Sequence, residues 1–188
     1  MTIKNLLTIS TLCLFHFSIP AFAADGAGKA KELPGNLIPN GGFESRAPES
    51  QKPGDWNPAN PAAVNSVTEV VKDPAGAHSG TSYLKVQAPT EGGAASFSTK
   101  DNIIPLPDKE YEFVVWVRGS GTFRQLVSQY AENKFVSSVG PAKLSSAGPE
   151  WESHTLEYMK AEEIENVRLM LQCTGEVQFD SAWFGPKK

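Results

Sequence analysis

Tyr111-Glu112-Phe113-Val114-Val115-Trp116-Val117-Arg118, closed by Gly119-Ser120-Gly121, decides the fold class. Side chains of a β-strand alternate between two faces, so Tyr111, Phe113, Val115 and Val117 share one face and Trp116 takes the other. A helix would need apolar residues three and four apart instead. The two-residue period returns in Val167-Arg168-Leu169-Met170-Leu171-Gln172-Cys173, where Arg168, Met170 and Gln172 fall on the face away from the core. After Gly175 it resumes in Val177-Gln178-Phe179-Asp180-Ser181-Ala182-Trp183-Phe184.

Outward from these runs, strands are expected at 64–71, 82–86, 94–99, 122–130, 134–139 and 151–158. Residues 45–65 carry prolines at 48, 53, 58 and 61, a density that forbids a helix or a central strand. Trp56 is the one large apolar residue there and either pins the loop to the body or faces a ligand. Residues 160–163 could form one helical turn, and no stretch has sustained helical periodicity. Short strands at intervals of roughly 8–12 residues indicate an all-β fold, a two-sheet antiparallel β-sandwich or jelly roll.

Lys4, an apolar run and Ala21-Phe22-Ala23 form an export signal, residues 1–23, with cleavage expected after Ala23. The apolar run is shorter than the ~20 residues that span a bilayer, so a secreted or periplasmic protein without a membrane anchor is expected. Residues 24–35 are a small, polar lead-in, and 36–188 form one domain. The whole chain has 17 basic and 21 acidic residues and a formal charge of -4. The signal contains one of the basic residues and none of the acidic ones, so the mature chain has 16 against 21, or -5. That balance argues against nucleic acid as a partner. Cys173 is the only cysteine outside the signal and lies in an alternating apolar run, which predicts a buried, inert thiol.

The sequence has no nucleophile elbow, phosphate-binding loop, dinucleotide fingerprint, C-x-x-C pair or zinc-protease helix. His78 and His154 are far apart with no visible orienting partner, so no enzyme activity is expected.

Asn36-Leu37-Ile38-Pro39-Asn40-Gly41-Gly42-Phe43-Glu44 reads as an apolar entry, a glycine turn, an inward Phe43 and a Glu44 directed at something polar. Together with His78-Ser79-Gly80, Tyr83-Leu84-Lys85-Val86, the strand at 111–118, residues 151–155 and residues 177–184, this order resembles carbohydrate-binding modules of the family 4/9 type, within the galactose-binding-like jelly rolls. The resemblance covers about 36–184 and implies a non-catalytic protein that binds a polysaccharide or oligosaccharide in a groove on a concave sheet. No catalytic domain is attached, so a separate glycan-degrading enzyme would be its working partner.

The resemblance also implies two sites. A structural Ca²⁺ would be held by Gly42, Glu44, Ser79, Ser82 and Asp180, a hard-oxygen set suited to that ion. The other possibility is that Glu44 and Asp180 bond only to local backbone amides. The sugar groove would place Phe97 and Tyr130 as flanking aromatics, with Arg168 and Gln172 as polar groups between them. The apolar C–H face of a pyranose packs on a ring, and its hydroxyls need paired donors and acceptors. The same strand face could instead be a solvated surface, or an adhesion surface for a protein partner. The glycan itself is not legible.

Overall fold

The computed structural model describes residues 35–47, 51–103 and 110–187. The expected signal and nearly all of the lead-in lie outside them. The described residues form a two-sheet antiparallel β-sandwich with one short helix. Its elements are β1 (Trp56–Pro58), α1 (Pro61–Val64), β2 (Val67–Lys72), β3 (Ser82–Ala88), β4 (Ala95–Thr99) and β5 (Glu110–Gly119). These are followed by β6 (Thr122–Ala131), β7 (Lys134–Val139), β8 (Ser145–Ser146), β9 (Glu152–Met159) and β10 (Asn166–Pro186).

Sheet I runs β1-β4-β10-β6, with β7 and β8 both paired to β6. Sheet II runs β2-β3-β10-β5-β9. β10 belongs to both: residues 166–174 pair in sheet I and 175–186 in sheet II. What the alternation suggested were two strands is therefore one strand that bends from one sheet into the other. Gly175 makes the bend at φ +68°, in the region that side chains disfavour. The β5–β6 hairpin turns beside it, and a Cβ on Gly121 would come within 2.1 Å of the Thr174 carbonyl oxygen. Only glycine lets the two backbones meet at this corner.

The proline-rich stretch departs from expectation in one respect. Pro61 begins α1, where its missing N–H would have no partner in any case. Asn60 caps the helix, its side chain accepting from Ala63 N at 2.9 Å. The prolines thus exclude a helix interior but not its first turn. β1 is an edge strand, the place where a sheet tolerates Pro58. Trp56 is buried and packs on Phe43 with ring centroids 5.6 Å apart, so it pins the loop to the body. The helical turn considered at 160–163 is a plain turn.

Phe43, Phe97, Tyr111, Phe113, Phe123, Tyr158, Phe179 and Phe184 are all but fully buried between the sheets, each worth roughly 1.5–3 kcal/mol of transfer from water. Cys173 is buried among them, and burial pushes its thiol up to about 12, as expected of an inert group. The opening stretch is laced to the second half of β10. Leu37 N donates to Phe184 O at 2.7 Å, and Asn36 Oδ1 accepts from Phe184 N at 3.0 Å. In its turn the left-handed residues are Asn40 and Phe43, at φ 53° and 54°, rather than the glycines. Gly41 is required for another reason, since a Cβ there would lie 2.0 Å from Ala182 O.

Candidate functional site

The outer face of sheet I is built by strand register. Ser96, Gln172 and Arg124 lie opposite one another on β4, β10 and β6, and Ser98, Met170 and Leu126 form the next row. Arg168 pairs with Ser128, and Asn166 with Tyr130. Arg124 Nε donates to Gln172 Oε1 at 2.6 Å, and Gln172 Nε2 donates to Ser96 Oγ at 2.8 Å. Arg124 Nη1 also donates to the carbonyls of Pro141 and Ala142, at 3.1 and 2.8 Å. Arg168 Nε donates to Asn102 Oδ1 at 2.6 Å, and its guanidinium carbon stands 5.5 Å from the Tyr130 ring centroid. Tyr130 in turn meets Phe135 edge-on at 5.9 Å. Two arginine forks are therefore locked by neighbours on a serine floor, with aromatic rings at one margin.

Of the four residues expected to line a sugar groove, Tyr130, Arg168 and Gln172 occur together on this face. Phe97 does not. It is 1% exposed and lies in the core opposite Leu171. The two-residue period explains the correction: Ala95, Phe97 and Thr99 are in phase with the core, leaving Ser96 and Ser98 to the outer face. Sequence reasoning missed Arg124, Ser96, Asn102 and Phe135. Arg124 shares the alternation phase of Tyr130 on β6, a signal that was available. Phe135 is 60% exposed on edge strand β7, and the β6–β7 hairpin pairs it with Tyr130.

Of the five residues expected at a metal site, Glu44, Ser79, Ser82 and Asp180 meet where the opening turn, the 73–82 loop and β10 come together. Glu44 Oε1 accepts from Thr81 N at 2.7 Å and Ser82 N at 3.0 Å, and Oε2 accepts from Thr81 Oγ1 at 2.6 Å. Asp180 Oδ2 accepts from His78 N at 2.8 Å and Ser79 N at 3.0 Å, while Oδ1 accepts from Ser181 N. Ser79 Oγ lies 2.7 Å from Ser181 Oγ, and Ser82 is buried. Gly42 lies in the turn itself, next to Gly41, whose carbonyl accepts from Ala182 N at 2.8 Å. Asp180 is fully buried, and burial raises its carboxyl to about 6. The three amides oppose that rise, and the like charge of Glu44 adds to it. Ser181 sits at φ 50° between these groups, a strained backbone of the kind that gathers at functional junctions. Among the described residues no group of three or more His, Cys, Asp or Glu side chains converges as metal ligands.

The outer face of sheet II carries a second gathering of rings. His78 stacks on Trp116 at 3.7 Å, and Trp151 meets both His78 and Tyr83 edge-on. Arg118 lies 4.6 Å from the Trp151 centroid, and Trp151 Nε1 donates to Gly76 O at 3.0 Å. His78 Nδ1 is 2.9 Å from Ser181 Oγ, but Asp180 engages the His78 amide. Burial lowers both His78 and His154 from the ordinary histidine value.

No protein-family profile matches the chain, and no curated protein matches it in sequence. Solved structures do match in fold. The CBM22-1 xylan-binding domain from Paenibacillus barcinonensis is similar at 15% identity and a TM-score of 0.58, over 86% of this chain and 99% of that one. A CBM61 module solved with β-1,4-galactotriose is similar at 20% identity and a TM-score of 0.53, over 81% and 99%. The enzymatically active domain of tailspike protein 4 from bacteriophage CBA120 has a TM-score of 0.63 at 16% identity. The match covers 81% of this chain but only about a fifth, 21%, of the tailspike chain. CBM16 and CBM4 structures are also similar, so the fold is that of several carbohydrate-binding module families rather than of the 4/9 type in particular.

Proposed function

We propose that this protein is a secreted, non-catalytic carbohydrate-binding protein that holds an oligosaccharide or polysaccharide on the outer face of sheet I. The observation that carries the reading is the locked Arg124–Gln172–Ser96 row beside the Tyr130–Phe135 margin. Hydroxyls need donors and acceptors fixed in place, and the C–H face of a sugar ring needs an exposed aromatic. Tyr130 keeps the flanking-aromatic role that the resemblance implies, and Phe135 replaces Phe97 in the other. Arg168 presents its remaining N–H groups beside them. The fold shared with xylan- and galactotriose-binding modules supports the same class of ligand. The test is titration calorimetry against xylo-, gluco-, manno- and galacto-oligosaccharides; heat from none of them would overturn the reading.

A calcium ion at Glu44 and Asp180 belongs to the same proposal. The donor chemistry fits a hard cation: two carboxylates lie close together, one of them fully buried and acted on by burial, by amides and by like charge. Gly42, Ser79 and Ser82 would add carbonyl and hydroxyl oxygens, and the ion would tie the opening turn to β10. A second reading, adhesion to a protein, is favoured by one observation: Phe135 and Val136 stand 60% and 50% exposed on an edge strand. Loss of glycan binding in Phe135→Ser would support the sugar; unchanged glycan binding with a loss of self- or partner association would support the protein.

A further inference from the structure

A cleft of about 320 Å³ opens at the margin of the sandwich, lined by Phe123, Arg124, Gln125, Pro141, Ser145, His154, Thr155 and Leu156. Its size is at the low end of small-molecule sites, roughly 300–1,000 Å³. Phe123, Leu156 and Pro141 supply apolar wall, and the His154 ring meets Phe123 edge-on at 4.6 Å. Gln125 is 4% exposed and spans the two sheets, its Nε2 donating to Phe113 O at 2.8 Å and His154 O at 3.1 Å. Its Oε1 is buried without a hydrogen-bond partner among the described residues. Such an acceptor is destabilising until a donor reaches it.

Arg124 belongs to this cleft and to the outer face of sheet I at once, since it also holds Gln172. The row Ser96–Gln172–Arg124 therefore ends at the cleft mouth. We propose that the cleft seats one neutral pyranose unit, the terminus or a branch of the glycan lying on sheet I, an inference that rests on the proposed function.

The guanidinium of Arg124 argues for a neutral unit. Its Nε is taken by Gln172 Oε1, and its Nη1 by the carbonyls of Pro141 and Ala142. No parallel pair of N–H groups is left for the fork that a carboxylate prefers. A single hydroxyl needs only one donor, which Nη2 retains. Glu152 places a negative charge on the same side, acting on His154, and so disfavours an acidic sugar. Burial lowers the His154 imidazole from its ordinary value, against the raising effect of Glu152, and so favours the neutral ring, which both donates and accepts as a hydroxyl requires.

The experiment compares wild type, Ser145→Trp, which fills the cleft, and His154→Gln, which removes the imidazole. Calorimetry against xylo-, cello- and mannohexaose is paired with circular dichroism to establish the fold of each variant. The expected result is an affinity at least tenfold weaker in either folded variant for whichever hexasaccharide wild type binds. Equal affinities would overturn the cleft while leaving the glycan face intact. If wild type binds none of these hexasaccharides and no galacto-oligosaccharide, the proposed function fails, and the cleft is decided by titrating xylose, glucose and galactose while observing the His154 ring protons. Shifted resonances would support a cleft that acts alone, and unshifted ones would overturn it.

Discussion

On the outer face of sheet I, Gln172 is held between Arg124 and Ser96, and Tyr130 and Phe135 stand at one margin. On the outer face of sheet II the large rings meet each other: His78 covers Trp116, Arg118 covers Trp151, and Tyr83 abuts Trp151. Both faces contain aromatics and arginines. They differ in what is already taken. Sheet II spends its ring faces on latching the 73–82 loop, with Trp151 Nε1 bonded to Gly76 O. Sheet I leaves Phe135 exposed beside polar groups that are fixed by their neighbours. Stacking on a sugar needs an accessible ring, which is why the glycan is proposed to lie beside Phe135 rather than on the tryptophans of sheet II.

Phe97 supplies the hardest break of that contrast. If it belonged to the open face, Phe97→Ala would lose glycan binding at little cost in stability. Buried opposite Leu171, it should instead destabilise the fold by about 3–5 kcal/mol, read as a lower denaturation midpoint.

Asp180, at the junction beneath the sheet II latch, gives the next largest effect. Its carboxyl is raised from 3.8 to about 6, so between those values the folded protein keeps a proton that the unfolded chain has released. Stability contributed by this group is therefore present at low pH and falls as pH rises through that window, by up to about 3 kcal/mol. In chelator, wild type should lose stability relative to Asp180→Asn between pH 4 and 7. Excess calcium should abolish or reverse that slope, since a cation favours the carboxylate. The same slope with and without calcium would remove the ion from the proposal.

On the sheet I face, Tyr130→Ala and Gln172→Ala should each weaken glycan binding by ~1–3 kcal/mol, from a lost platform and from unpaired hydroxyls. Melting temperatures should hardly move, because both side chains are partly exposed. The smallest effect sharpens the contrast from the other side. Arg118→Met removes its contacts with Trp151 and Tyr83 and its 2.6 Å hydrogen bond to Gln178, and should cost ~1–2 kcal/mol of stability while leaving glycan titrations unchanged.

The period of two in 111–118 and 167–173 determined the strands, the inward Phe113, Val115, Leu169 and Leu171, the outward Arg168 and Gln172, and the inert Cys173, because alternation is a local property of an extended chain. The same period in 122–130 contained the outward phase of Arg124. Likeness of order puts Phe97 on the open face, whereas its phase with Ala95 and Thr99 puts it in the core. Tertiary structure alone decided that β10 is one strand shared by both sheets, since a bend at Gly175 and a reversal look alike in sequence. It alone joined Arg124 to Gln172, 48 residues away. It also placed Glu44 and Asp180 at one junction, each satisfied by the amides of the 73–82 loop. Register between strands depends on how distant chains stack around a common core, and no local pattern carries that information.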